Sequence, residues 1–316
     1  MAAVFLTIDT EFAWRHHAAG HDAATIHARS VEPAGVGLTA QLAMLARYGL
    51  KATFFVDPMP ALVHGDEWIA RMVAPVLAAG QEVQLHCHAN WLGADAVDRT
   101  RHGRFELTDH DAGAQRAMLA RAIDLLTAAG APRPVAFRSG SYAANDDTLR
   151  ALASLGIAYD SSHNGNHAPW PSAIALPPER IAPVRRHGVV EVPVTQVEDR
   201  RGRWRNAQVC ALSAAEMRAA LDHAVAHDHA TVTIVGHSFE LANRAGTAPN
   251  KMHVRRFEAL CETLAARRGG LPTTHFADRP VLPLDRDDRP LARNAVRRGW
   301  RQVEQAWSTL VAERAA

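Results

Sequence analysis

Asp9 and Glu11 close the apolar run Val4-Phe5-Leu6-Thr7-Ile8 near the start of a 316-residue chain. Spaced i and i+2, two carboxylates on an extended segment share a face and can aim at one point. A second pair with that spacing is His86 and His88, which follow Glu82-Val83-Gln84-Leu85 and flank Cys87. Two imidazoles with one or two carboxylates are the ligand set of a catalytic zinc or similar divalent ion with an open position. Cys87 falls on the opposite face and reads as a small core residue. Arg138 follows Pro134-Val135-Ala136-Phe137, and a guanidinium at a buried strand end needs an anionic partner. His237 follows the run Thr231 to Val235 and is the third histidine delivered in this way. Taken alone, Asp9 could cap a turn and Glu11 could be solvated. The recurrence of polar residues at apolar strand ends favours the chemical reading.

The elements that must position these residues alternate between strand and helix. Continuous apolar runs such as Val4–Ile8 suit strands buried on both faces of a parallel sheet, whose C-terminal ends build sites. Phe12 to Glu32, with His16, His17, His21 and His27, reads as a loop whose histidines are largely solvated. A helix is predicted over Gly35–Tyr48, with Leu38, Leu42 and Leu45 in register and Gly49 as its stop. Strand Lys51–Val56 and a helix over Asp66–Ala79 follow. A long polar connection, Asn90 to Asp111, carries Trp91 and is expected to cover part of the site. Helices over 112–129 and 146–155 flank the Arg138 strand, and strand Ile157–Ser162 carries Asp160. After a loop from His163 to Arg186, Val189–Val194 is a further strand.

Residues 198–210 hold Arg200, Arg201, Arg203, Arg205 and Trp204. Such a group can bind phosphate, but a solvated hairpin is the preferred reading. Ser213-Ala214-Ala215-Glu216 is a capping box that opens a helix to about Ala226. A helix over 254–266 and a last strand over Leu271–Phe276 complete the repeat. The tail from Leu291 to Glu313 is a basic amphipathic helix with Val296, Trp300, Val303, Trp307 and Leu310 on one stripe. A membrane surface could take this stripe; packing on the parent domain or on a second subunit is the expectation.

Composition bounds the partners. Lys plus Arg is 35 against 33 Asp plus Glu, so no strong field draws the chain to nucleic acid. The 47% hydrophobic content supports a full core. Cys87, Cys210 and Cys261 are odd in number and far apart, which argues against a disulfide framework. No signal peptide is read before the first strand and no apolar run reaches spanning length, so a cytoplasmic, reduced protein without a transmembrane segment is expected.

With these strand ends in hand, the chain resembles the polysaccharide deacetylase family, the NodB-homology domain of carbohydrate esterase family 4, over roughly residues 4 to 276. Thr7-Ile8-Asp9-Thr10-Glu11 is similar to the motif in which a base precedes a metal-binding carboxylate. Ala52-Thr53-Phe54-Phe55-Val56, Gly80 to His86, Arg138-Ser139-Gly140-Ser141-Tyr142, Asp160-Ser161-Ser162 and Ile234-Val235-Gly236-His237 resemble later motifs, in order. Two departures stand out. Thr10 follows Asp9 where adjacent aspartates are common, and Asn90 stands at i+4 from His86 where a second histidine is usual. The third ligand is then His88, or Asn90 in its place.

The resemblance implies a distorted (β/α) barrel of seven to eight strands, which the alternation of elements independently supports. The barrel would take residues 1–280, with 281–316 forming the C-terminal helix, through which a homo-oligomer could form. It also implies hydrolysis of an N-acetyl group on an amino sugar, as a glycan precursor, a nucleotide- or lipid-linked sugar or an oligosaccharide. Glu11, His86 and His88 would hold a divalent metal, with Zn2+ expected. Asp9 would be the base, oriented by Arg138, and His237 the acid. Tyr142, Trp91 and Asp160 would face the substrate. The alternatives are an amidohydrolase acting on a non-sugar amide or cyclic ureide, and a sugar-binding module that has lost catalysis.

Overall fold

The computed structural model describes residues 1–95 and 104–312. Its frame begins with β1 (Ala3–Thr10), whose successive side chains serve two different interiors. Val4, Leu6 and Ile8 enter the large core beneath the helices, whereas Phe5 joins a second cluster inside the barrel. That alternation is the period-two rule of a strand. By the same parity Thr7 and Asp9 belong to the barrel side.

The chain continues through α1 (Trp14–Ala18), α2 (Ala23–Ser30) and α3 (Leu38–Tyr48) to β2 (Thr53–Val56). Gly49 ends α3 at φ 60°, a left-handed turn that suits glycine. Helices α4 (Ala61–His64) and α5 (Glu67–Ala78) lead to β3 (Glu82–Cys87). Helix α6 (Ala112–Ala128) and strand β4 (Ala136–Ser139) follow. Next come α7 (Asp146–Ser154), capped by Asn145, and the short β5 (Tyr159–Asp160). Then come β6 (Val184–Arg186), β7 (Val189–Glu191) and the hairpin β8 (Gln196–Arg200) with β9 (Arg203–Asn206). Helix α8 (Ala214–Ala226), strand β10 (Thr231–His237), α9 (Lys251–Ala266) and α10 (Ala295–Ala312) finish the order. The Ser213–Glu216 capping box at α8 is present on both sides.

Eight strands form one curled sheet in the order β10-β1-β2-β3-β4-β5-β7-β6. All pairs are parallel except β6 against β7. The fold is α/β, a half-barrel of the distorted (β/α) type. Its interior is plugged by Phe5, Phe55, Ala136, Tyr159, Val190, Val192 and Phe276. Phe276 stacks on Phe5 at 4.2 Å between ring centroids. This aromatic floor seals one end of the barrel and leaves the strand ends to form the site.

Several expectations change. Phe12–Glu32 is not a loop: it holds α1 and α2, and His16 and His17 are buried rather than solvated. Trp14 and Trp91 pack against His17 at 4.8 and 5.0 Å between ring centroids, which stabilises helix where propensity alone gave none. Leu271–Phe276 is not a strand among the described residues. A bridge joins Thr273 to Val4, after which Phe276 turns inward. The loop expected up to Arg186 contains β6, the antiparallel edge. The Arg-rich stretch is a hairpin.

The C-terminal helix begins at Ala295. Before it, Leu282 and Leu284 pack on the aromatic floor. The helix meets its own barrel through polar side chains, Arg301 against Glu216 and Asp199, Glu304 against Arg256, and Ser308 against Asn250. Its apolar stripe faces outward, so of the two surfaces expected to take it, the parent domain and a second subunit, the parent domain leaves it exposed. Residues 96–103 of the expected polar connection and the end of the tail beyond residue 312 lie outside the described residues.

Candidate active site

Parallel register places the functional side chains on neighbouring strand ends. Asp9 is paired with His237 on one side and with Phe55 on the other, and His86 is paired with Arg138. Their parity turns Asp9, His86 and Arg138 toward the same interior. A hollow of about 190 Å3 opens above them, lined by Asp9, Glu11, His86, His88, Ser139, Ser141, Tyr142 and His237. That volume encloses one small group, since pockets for whole ligands run to roughly 300 Å3 or more.

Arg138 is fully buried and lies under the Asp9 carboxylate. Its Nη1 donates to Asp9 Oδ1 at 2.8 Å and to Thr7 Oγ1 at 2.6 Å. Nε and Nη2 donate to the carbonyl and hydroxyl of Ser161 at 3.1 and 3.0 Å, and the guanidinium sits 4.6 Å over the Phe55 ring. Such a fully partnered cation fixes the carboxylate it supports. Asp9 Oδ2 turns toward His237 Nε2, 3.9 Å away.

His237 is braced from behind. Its backbone N–H donates to Glu240 Oε2 at 2.9 Å, and its Nδ1 lies 3.6 Å from that oxygen. Burial alone would depress the imidazole, but Glu240 and Asp9 outweigh it and raise its pKa to about 9. Burial pushes the Glu240 carboxyl up, but His237, helped by the Cys210 N–H that donates to it at 2.6 Å, holds it below the usual range. Glu240 is not among the residues that the sequence singles out. Its i+3 spacing from a histidine was the available signal.

Glu11, His86 and His88 form the donor cluster that could hold a cation, their ligand atoms lying within 4.8 Å of one another. Glu11 Oε2 is 3.0 Å from His86 Nε2 and 2.5 Å from His88 Nε2. His86 Nδ1 lies 2.7 Å from the Arg138 carbonyl, so an N–H there donates and leaves Nε2 as the ligand atom. Carboxylate and imidazole donors converging with one ring already oriented fit a divalent ion. Burial opposes charge on His88, yet the Glu11 carboxylate lifts its pKa to about 9. The turn Gly140–Tyr142 walls this cluster, with Ser141 and Tyr142 at positive φ of 54° and 59°. A Cβ on Gly140 would lie 2.4 Å from His88 Nδ1, so only glycine leaves room for that ring.

Not every expected residue reaches the hollow. Trp91 is buried in an aromatic cluster with Trp14, His17 and His64, where its ring serves packing instead of covering the site. Asn90 lines a neighbouring hollow beside Trp14 and Phe105. Asp160 lies below the pocket, bonded to Ser162 and paired across the sheet with Glu191. Burial raises both carboxyls, and Glu191, also raised by Asp160, is the partner that keeps the proton. Asp57 follows the strand Lys51–Val56 and is not among the residues that the sequence singles out. It is fully buried beside His86, His88 and Glu11, where desolvation raises its pKa to about 6.

Residues 36–159 match the family model described as polysaccharide deacetylase. Among solved structures, a protein from Mycobacterium smegmatis assigned as a polysaccharide deacetylase superposes with a TM-score of 0.51 at 18% identity. That match covers 91% of this chain and 94% of the other. A family 4 carbohydrate esterase from Streptomyces lividans, in complex with acetate, aligns at 14% identity and a TM-score of 0.44, covering 93% and 98%. A family 4 pseudoenzyme from Bacillus anthracis aligns at 11% identity and a TM-score of 0.41, covering 94% and 66%. No curated protein matches the chain.

Proposed function

We propose that this chain, a member of the polysaccharide deacetylase family with the NodB-type fold, is a metal-dependent hydrolase that removes an N-acetyl group from an amino sugar. The observation that carries the reading is one small hollow bordered by three separate devices. These are Asp9 on Arg138, His237 on Glu240, and the Glu11–His86–His88 donor cluster. A volume near 190 Å3 admits an acetamido group and leaves the sugar outside.

Glu11, His86 and His88 would hold the cation. When bound there, a divalent ion supplies Lewis-acid chemistry, polarising a carbonyl and making water easier to deprotonate. Asp9 takes a proton from the attacking water, its carboxylate held in place by Arg138 and Thr7. The new C–O bond forms as the carbonyl π electrons move to oxygen. The turn at Ser141–Tyr142 borders the place where that oxyanion develops. His237 gives a proton to the amine nitrogen as the C–N bond breaks, releasing acetate and a free amino sugar. Glu240 keeps the imidazole oriented and protonated for that transfer.

The test is acetate release from N-acetylated sugars by protein stripped of metal and then reloaded with Zn2+ or Co2+. Activity that appears only after reloading is expected. Asp9→Asn should keep the metal and lose about 10²–10⁴-fold in kcat. No acetate with any reloaded metal, or an Asp9→Asn variant within a few-fold of wild type, overturns the reading.

A further inference from the structure

The outer face of α10 carries six exposed apolar side chains on a helix that anchors to its own barrel by its polar side. Val296, Trp300, Val303, Trp307, Leu310 and Val311 are 51% to 81% exposed, whereas Arg301 and Ser308 are buried. A helix ordinarily turns its apolar stripe to the core and its charges to water. Here the buried side is held by Arg301 on Glu216, Arg256 on Glu304, and Asn250 on Ser308. The Trp300 indole N–H is satisfied within the helix by Glu304 at 2.7 Å, which leaves its ring to face outward.

Spacing says what covers the face. Residues 296, 300, 303, 307 and 310 are separated by four, three, four and three positions, the 3.5-residue seam that a partner helix covers. Tryptophan and valine alternate along this seam. Two antiparallel copies put each tryptophan opposite a valine, Trp300 against Val303 and Trp307 against Val296. A parallel pair would set tryptophan on tryptophan. Large against small is the arrangement that fills a seam without voids or overpacking. Beside Trp307 and Val311, a groove of about 680 Å3 runs between α9 and α10 past Met252, Arg255 and Ala259. In the antiparallel register the start of the second copy's α10 lies over this groove. Two tryptophans that are 60% and 63% exposed, together with four exposed aliphatic side chains on the same helix, form a contiguous apolar face of the kind that marks an interaction site.

We propose that α10 is a dimerisation helix whose outer seam packs antiparallel against α10 of a second copy of this chain about a two-fold axis. The polar anchoring to the barrel then makes the helix a rigid handle that joins two catalytic units.

Sedimentation equilibrium of the full chain at micromolar concentration should give twice the chain mass. The double variant Trp300→Lys, Trp307→Lys changes two side chains that are 60% and 63% exposed in the single chain. It should give the single-chain mass with unchanged circular dichroism and unchanged deacetylase activity per chain. A monomeric wild type, or a dimer that survives both substitutions, overturns the proposal. So does a monomer that co-floats with phosphatidylcholine–phosphatidylglycerol vesicles, which would assign the stripe to a lipid surface.

Discussion

Glu240 shows how one side chain behind the pocket sets the working range of another inside it. It touches the backbone and ring of His237 and, with Asp9, lifts that imidazole to about 9. The protonated form is then present below about pH 9, and if His237 is the acid as proposed, activity should fall as pH rises through that value. Glu240→Gln removes the charge while keeping the size. The alkaline limb of the kcat profile should then move to lower pH, with KM changed less than kcat. An alkaline limb that stays in place would separate Glu240 from the protonation of His237. Asp9 and His237 were legible in sequence because each follows an apolar run. The pairing of Asp160 with Glu191 was not, since those residues lie 31 positions apart and meet only when β5 and β7 pair.

At the level of an element, the turn after β4 ties the Arg138 strand to the cation cluster. Gly140 lies against the His88 ring, and a methyl there has 2.4 Å to the nearest ring nitrogen. The ring cannot swing away without leaving Glu11, so Gly140→Ala should misplace a ligand and leave the helices intact. We expect metal affinity to fall about 10–100-fold, the loss typical when support of a ligand is disturbed. Isothermal titration of Zn2+ into metal-free protein measures it, with circular dichroism as the control. Unchanged affinity would take His88 out of the ligand set. The sequence showed that His86 and His88 share a face. It did not show that Asn90, two residues on, turns into a different hollow, because the chain leaves the strand for a 3-10 turn at Ala89–Gly93.

For the molecule as a whole, Arg301 decides how the C-terminal helix sits. It is 1% exposed and spans Glu216 on α8 and Asp199 on β8. Arg301→Ala leaves the buried Glu216 carboxylate without its cation, which costs about 3–5 kcal/mol, whereas the part-buried Asp199 keeps Arg205 at 3.8 Å. A lowered melting temperature and early proteolysis within residues 295–312 are expected, and an unchanged melting temperature would contradict this anchoring role. By itself the sequence determined the alternation of strand and helix, the apolar strand ends that carry Asp9, His86, Arg138 and His237, and the Ser213–Glu216 cap, while the barrel was implied by the family resemblance. Those features are local: period-two alternation, apolar runs and caps are written within a few residues of one another. Tertiary structure alone decided that Trp91 packs in the core, that residues 271–276 cross the barrel floor without forming a strand, and that His16 and His17 are buried. It also decided that the stripe of α10 faces outward, since a hydrophobic pattern marks which face is apolar but not which surface is already full. At α10 the barrel offers Glu216, Asp199 and Asn250, and a helix takes the side that satisfies buried charge before the side that buries carbon.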